Sequence, residues 1–375
     1  MIDVALWAAL ASALALLAFV LLTSRALTRD GTTARSADLL STVATTEDGW
    51  RLQLDRYRGE GLPVLVCHGI ATRSQNMDVH DDHSIARALH AQGHDVWLLN
   101  LRGCGTSCSN TGRVSDICLD DFVRQDAPAA LVHIMRETGA SQVDWVGFSM
   151  GGIVGTAVLG EPVGKHLRSL TLIGAPLRGA SSPYLGPLMR LGLALFRRRG
   201  AVPLRLFSRL GARLPRVLVN PFLRPIMNPK NVPWRPTRLV MDQTVEDIPI
   251  PLLEQMNAWR HRPDHHASSR DGAVDYVSRL AEAPAIPILC ISGTGDTLGP
   301  LAATVPAFRH HRGSREVRVI GRGAQAHIDR WAPSEDDATA REHPQRWGHL
   351  DLLLSRDAPV EVFKPVGEFL ARCPS

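Results

Sequence analysis

Between residues 171 and 241 the chain contains no aspartate and no glutamate. Over the same stretch it gathers thirteen arginines and lysines, so the remainder of a chain with a formal net charge of only +5 is acidic. The asymmetry marks an interval of distinct composition rather than a uniformly basic protein. Other absences narrow the class. No internal repeat and no low-complexity tract occurs, which argues against solenoids and unstructured arrays. The six cysteines include no C-x-x-C pair, so no zinc framework is implied. Cys67 and Cys290 read as small core hydrophobes; Cys104 and Cys108, with Cys118 nearby, are close enough to close a loop, although free thiols in a reducing compartment fit better. The basic interval shows no recognised binding motif for nucleic acid, which is not an expected partner.

What is present begins with an apolar run. Residues 4–22 are nineteen positions with only Ser12 less than apolar, just long enough to span a bilayer. Asp3 precedes them with no basic n-region, while Arg25, Arg29 and Arg35 follow. The pattern predicts an uncleaved anchor within residues 1–26 that leaves the rest of the chain on the cytoplasmic side. The alternative is an exported form cleaved near Ser24-Arg25-Ala26.

At 375 residues and 45% hydrophobic, the chain has room for one core plus an insertion. Strand-like runs at 51–57, 63–67, 95–101, 143–147, 168–174, 286–291 and 315–320 alternate with helical stretches, the pattern of an α/β fold with a mostly parallel sheet. Ligands then belong at the carboxyl ends of the strands. Residues 175–285 interrupt the alternation, which divides the chain into 1–26, a first core part 27–174, a basic helical cap 175–285 and a second core part 286–375.

Gly147-Phe148-Ser149-Met150-Gly151 joins the apolar run from Val143 to the small-residue stretch from Gly152. A bare G-x-S-x-G arises by chance about once in ten chains of this length, so context carries the argument. A strand before and a tightly packed helix after make the serine a nucleophile elbow, with Gly147 and Gly151 allowing close backbone approach. Upstream, residues 64–67 empty into His68-Gly69-Ile70, a turn suited to an oxyanion loop, and the backbone N–H groups of Ile70 and Met150 are the expected oxyanion donors. An ordinary turn with a capping histidine explains His68-Gly69 equally well. Asp296 follows the run 286–291 through Ser292-Gly293-Thr294-Gly295, the place for an orienting carboxylate. Asp271, Asp275, Asp329 and Asp351 compete, but none follows a comparable run. His349, just before an apolar segment, is the expected base, ahead of His310, His311, His327 and His343.

The order Ser149, Asp296, His349 matches the α/β-hydrolase order, and the chain resembles that superfamily over about residues 44–372. Residues 93–107, with Arg102-Gly103-Cys104-Gly105-Thr106-Ser107, are similar to the strand and R-G-x-G-x-S turn that follow its first helix, and residues 126–147 to the helix and strand leading into the elbow. The tail Gly348-His349-Leu350-Asp351 is similar to bacterial lipases and to the polyhydroxyalkanoate-synthase-like branch. Those synthases carry cysteine as nucleophile; Ser149 instead implies a serine hydrolase of carboxylic esters, or of thioesters or lactones, without a cofactor. An acyltransferase using the same triad and a non-catalytic membrane-tethered binding module are the alternatives.

Within 175–285, Arg205, Arg209, Arg213 and Arg216 recur at steps of four, four and three, so one helix would carry them on one face with Leu206, Leu210, Leu214, Val217 and Leu218 mostly elsewhere. Pro203, Gly211 and Pro215 would shorten or bend it. Such a cationic surface is either solvated, with the helices packed on the core, or a lid resting on anionic lipid. Apolar content at 185–196 and 221–227 favours an apolar acyl substrate. Asp78, His80, Asp81, Asp82 and His83 have metal-ligand letters, but a helix start capped by Asp82 or Ser84 explains them, and no metal is expected. Roles for Asn228-Pro229-Lys230-Asn231 and for residues 271–276 stay open.

Overall fold

The computed structural model describes residues 38–374 except 81, 180–184, 310 and 322–345. The apolar run 4–22, Asp81, His310, His327, Asp329 and His343 therefore lie outside the described residues. Among the described residues, no helix is long and apolar enough to cross a membrane.

Eight strands build the main sheet: β1 Leu39–Thr45, β2 Arg51–Tyr57, β3 Pro63–Cys67, β4 Asp95–Leu99, β5 Val143–Phe148, β6 Leu167–Ile173, β7 Ile288–Gly293 and β8 Arg315–Ile320, in the spatial order β1-β2-β4-β3-β5-β6-β7-β8. β2 runs antiparallel to β4, and every neighbouring pair from β4 to β8 is parallel. Strands β3 to β7 are buried at every position, as parallel strands covered on both faces must be, which makes them legible as largely apolar runs, broken by Asp144 in β5 and by Arg168, Ser169 and Thr171 in β6. β1, Leu-Leu-Ser-Thr-Val-Ala-Thr, is the strand that sequence reading misses. It lies at the sheet edge and is mostly half-buried or exposed, so it carries no apolar run.

Asp144, fully buried in β5, is held by Arg168 (Nε to Oδ1, 2.9 Å) and Ser169 (Oγ to Oδ1, 2.5 Å). Helix α1 (Ile85–Ala91) starts where the Ser84 hydroxyl accepts from the Arg87 N–H at 2.9 Å, one of the two caps expected. Asp78 is spent on the Tyr57 hydroxyl and on Arg87. Helix α2 (Ala127–Thr138) ends on Gly139 at φ 74°, and α3 (Met150–Leu159) is buried along its whole length.

Between β6 and β7 the chain forms α4 (Leu185–Phe196), α5 (Leu204–Gly211), α6 (Arg216–Leu223), α7 (Trp234–Leu239) and α8 (Ile250–Trp259), with a two-strand ribbon pairing Ala201–Val202 to Ile248–Pro249. The single cationic helix suggested by the arginine spacing is instead two helices, with Pro203 and Pro215 at their N-caps because proline supplies no N–H to continue a helix. The arginines of the stripe are half-buried, or in the case of Arg213 exposed, and each has a partner. Arg205 pairs with Glu246 (2.9 Å), Arg209 donates to the Asp242 carbonyl, Arg213 pairs with the Asp242 carboxylate (2.9 Å), and Arg216 donates to the Pro229 and Val232 carbonyls. The guanidinium groups find partners beyond residue 241 and in the chain's own carbonyls, so the stripe is paired while staying partly open to solvent. Large apolar side chains face outward as well: Leu206, Phe207, Val217, Leu218 and Phe222 are all exposed. Arg224 stays exposed at the end of α6.

Helices α9 (Asp351–Leu354) and α10 (Lys364–Arg372) close the chain.

Candidate active site

The carboxyl ends of β3, β5, β6 and β7 carry the residues that the sequence singled out. Beyond β5 the chain turns directly into α3, and Ser149 at the turn adopts φ 51°, ψ −117°, a left-sided conformation that L-residues hold only when the surroundings impose it. The Ser149 N–H donates to the Ile173 carbonyl of β6 at 2.8 Å. Gly151 makes the turn possible. A Cβ there would strike the Cys67 and His68 carbonyls, and one on Gly147 would strike Gly151 and Gly152. Trp145 Nε1 donates to the Gly151 carbonyl at 3.0 Å, tying β5 to α3.

The loop after β3 packs on the same turn: a Cβ on Gly69 would stand 3.2 Å from Ser149 Cβ. Ile70 is half-buried within this loop, and Met150, buried, opens α3. His68 does not cap a helix. Its ring is fully buried, Nδ1 pairs with the Gly69 carbonyl at 2.9 Å and Nε2 accepts the Leu101 N–H at 3.3 Å. Nε2 as acceptor makes Nδ1 the protonated nitrogen, and burial pushes the imidazole down to about 4, so a neutral ring pins the loop. Ala71, next along, sits at φ 57°, and its carbonyl accepts the Glu246 N–H.

On the β7 side, Asp296 Oδ2 lies 2.9 Å from His349 Nδ1. The other oxygen of Asp296 accepts the backbone N–H groups of Leu298 (2.9 Å) and Gly299 (2.8 Å), which fixes the carboxylate's orientation. Both side chains are buried, as is Ser149. The His349 ring lies 4.8 Å from the Phe148 ring, the residue before the serine. Gly174, following Ile173, holds φ +59°, and a Cβ on it would stand 3.0 Å from Asp296 Oδ2 and 3.1 Å from His349 Nδ1. Asp296, His349 and the Ser149 turn thus meet around Phe148 and Ile173-Gly174.

The competing residues go elsewhere. Asp271 closes its own turn through Ser269 and Ala273, and Asp275 caps residues 277–278. Tyr276, from the same segment, donates to Asp120 at 2.7 Å, so residues 271–276 fasten this segment to the turn before α2. His311 bonds the Ile286 carbonyl. Asp264, His266 and Asp275 bring ligating atoms within 4.8 Å of one another, but the pairing of His266 with Asp275 and the helical-turn bonds of Asp275 occupy them. All six cysteines are free thiols, and burial pushes Cys290 up to about 12.

Asp351 sits two residues beyond His349 and does not face its ring. Its Oδ2 accepts the Asn228 N–H at 2.8 Å and its Oδ1 the Asn231 side-chain amide at 2.7 Å, and burial pushes its carboxyl up to about 6. Both asparagine side chains also donate to the Arg346 carbonyl at 2.9 Å. Leu350 N–H donates to the Ile226 carbonyl, and Thr297 Oγ1 to the Pro225 carbonyl at 2.8 Å. Residues 225–231 therefore clamp both the Asp296 loop and the His349 loop. The sequence alone assigns residues 228–231 no role; polar amides flanking a proline are the signal, and their partners lie more than a hundred positions away.

Residues 63–330 match the family described as the alpha/beta hydrolase fold, and the chain belongs to it. Lipase 1 of Drosophila melanogaster is 32% identical over 115 residues, which are 28% of this chain and 26% of that protein. The gastric triacylglycerol lipase of Homo sapiens is 29% identical over 126 residues, 29% of this chain and 32% of that one. The chain thus spans about a third or less of the curated relatives it matches. Among solved structures, DcsB in complex with its substrate analogue aligns at TM-score 0.57 with 17% identity, over 89% of this chain and 99% of that one. A thermophilic esterase from Thermogutta terrifontis, malate bound, aligns at 0.54 with 18% identity over 90% and 100%. At such identities these two carry the fold alone.

Proposed function

We propose that the protein is a serine hydrolase of carboxylic esters acting through an acyl-enzyme, with Ser149 as nucleophile, His349 as general base and Asp296 as its orienting acid. The observation that carries this reading is the Asp296–His349 pairing beside the strained Ser149 turn. With Nδ1–H donated to Asp296, His349 presents Nε2 as the free base. Nε2 takes the Ser149 hydroxyl proton as Oγ attacks the ester carbonyl carbon, and the carbonyl electron pair moves onto oxygen. The Ile70 and Met150 N–H groups receive that oxyanion, aided by the N-terminal end of α3; donors of this kind are worth about 3–4 kcal/mol each elsewhere. Collapse expels the alcohol, which takes the proton from His349, and water repeats the sequence to free the acid. None of these steps needs a metal or a cofactor.

The lipase names of the relatives and the apolar helices between β6 and β7 support an apolar acyl ester as substrate. We read residues 175–285 as a cap inserted between the core parts 27–174 and 286–375, since 225–231 clamp the two loops that carry Asp296 and His349. Residues 4–22 then anchor the chain to a membrane with the hydrolase on the cytoplasmic side, which carbonate washing of membranes tests: protein released by the wash refutes the anchor.

The direct test of chemistry is a fluorophosphonate probe on the full chain beside Ser149→Ala. Labelling that maps to Ser149 and vanishes in the variant is expected. A folded protein that takes no label at Ser149, with or without lipid vesicles, overturns the assignment.

A further inference from the structure

Among the described residues thirteen large apolar side chains stand exposed, and eight of them fall between Leu191 and Phe222. On α6, Val217 is 73% exposed and Phe222 81%, with Leu218 between them, so one helical face is turned to solvent while Val219 packs against Ala212 and Met241. On α5, Leu206 and Phe207 point outward, as Ser208 and Arg209 bond the backbone at Met241 and Asp242. The Phe207 and Phe196 rings meet edge to face with centroids 6.3 Å apart, which continues the surface onto α4. Exposed apolar side chains concentrated in this way on neighbouring stretches of a folded chain mark an interaction site.

The charge around it selects the occupant. Arg198, Arg199 and Arg224 are exposed on these helices or at their ends, Arg197 and Arg213 are exposed beside them while pairing with Glu254 and Asp242, and no carboxylate belongs to residues 171–241. A two-fold contact with a second copy would bring this arginine-rich rim against itself, at an electrostatic cost. An anionic lipid surface satisfies both features at once, taking the apolar side chains at the acyl boundary and the guanidinium groups at the headgroups.

We propose that the outward face of α5 and α6 docks on an anionic lipid bilayer. Where α6 ends, the chain passes into Pro225, Ile226 and Asn228, which grip the Asp296 and His349 loops. Docking therefore sets the site's rim at the lipid surface, a consequence that rests on the ester-hydrolase reading, whereas the docking itself does not.

The test follows amide hydrogen exchange of the full chain with vesicles of phosphatidylcholine alone and of phosphatidylcholine mixed with phosphatidylglycerol, so that any anchoring by residues 4–22 is common to both. Amides of residues 204–223 are expected to exchange about fivefold or more slowly on the anionic vesicles, the effect of a single arginine contributing about 1 kcal/mol at such a surface. Val217→Ser/Leu218→Ser/Phe222→Ser should abolish that slowing and leave β3 and β5 unchanged. Equal exchange on the two vesicle types overturns the proposal. Slowing that needs no lipid and grows with protein concentration overturns it in favour of self-association. Fluorophosphonate labelling in the same samples separates the two readings: labelled Ser149 without lipid protection sinks docking alone, and protection without labelling sinks ester hydrolysis and leaves docking standing.

Discussion

At Gly151 there is no room for a methyl group between α3 and the carbonyls after β3, whereas at Phe222, on α6, 81% of a large apolar side chain faces solvent. The two regions are both rich in apolar residues, yet they use them oppositely. Around Ser149, apolar runs mean burial on both sheet faces, and small residues mean backbone contact. In α5 and α6 only Val219 is buried, the arginines stay half-buried or exposed while pairing with carboxylates and carbonyls, and most of the large apolar side chains are left outside. Apolar content therefore reports burial only where a second layer covers the element, as it does on both faces of the sheet.

That contrast can be broken from several sides. Ser149→Ala should reduce ester hydrolysis by about 10⁴-fold or more with the fold intact, read by steady-state rates and circular dichroism, since it removes the proposed nucleophile alone. Gly151→Val should cost about 3 kcal/mol or more and yield little folded protein, measured by soluble yield and thermal midpoint, because neither the Cys67 nor the His68 carbonyl can move aside. Asn231→Ala removes the donors to Arg346 and Asp351. We expect the rate of Ser149 labelling to fall about tenfold, with a shift of the thermal midpoint too small to explain it.

Two buried groups give the pH dependence opposite slopes. His68 is pushed down from 6.5 to about 4, so its contribution is fully present above pH 6.5 and is lost as pH falls towards 4, by up to about 3 kcal/mol. Asp351 is pushed up from 3.8 to about 6, so its contribution is present below 3.8 and is lost as pH rises through 6. Denaturant midpoints at pH 7 and pH 5 separate them: His68→Asn should flatten the acid loss of stability, and Asp351→Asn should steepen it. The smallest effect belongs to the outer face, where Phe222→Ser should change stability by no more than about 0.5 kcal/mol without lipid. A larger loss would mean that the α6 face is already covered.

Much of the fold was legible. Strands β3, β4 and β7 announce themselves as apolar runs, and β5 and β6 do so despite the buried Asp144, Arg168, Ser169 and Thr171. The order of Ser149, Asp296 and His349 needed no coordinates, and the Asp296–His349 pairing agrees with it. The arginine stripe gave no sign of its partners, because helical spacing says which residues share a face and nothing of what that face meets. The partners of Arg205 and Arg213, Glu246 and Asp242, lie about thirty to forty positions further on. The clamp of Asn228 and Asn231 on Asp351 spans still more of the chain, and edge strand β1 lacks the double-sided burial that makes its neighbours visible.

By itself, then, the sequence determined the α/β class, the sharp turn at Ser149 and the residue types available to it, because backbone geometry and burial periodicity are written locally. Tertiary structure decided which carboxylate meets His349, that His68 is a neutral pin in the loop after β3, and that α5 and α6 turn their leucines and phenylalanines outward. Those outcomes depend on which distant groups compete for the same desolvated space, and that competition is resolved only when the chain is packed.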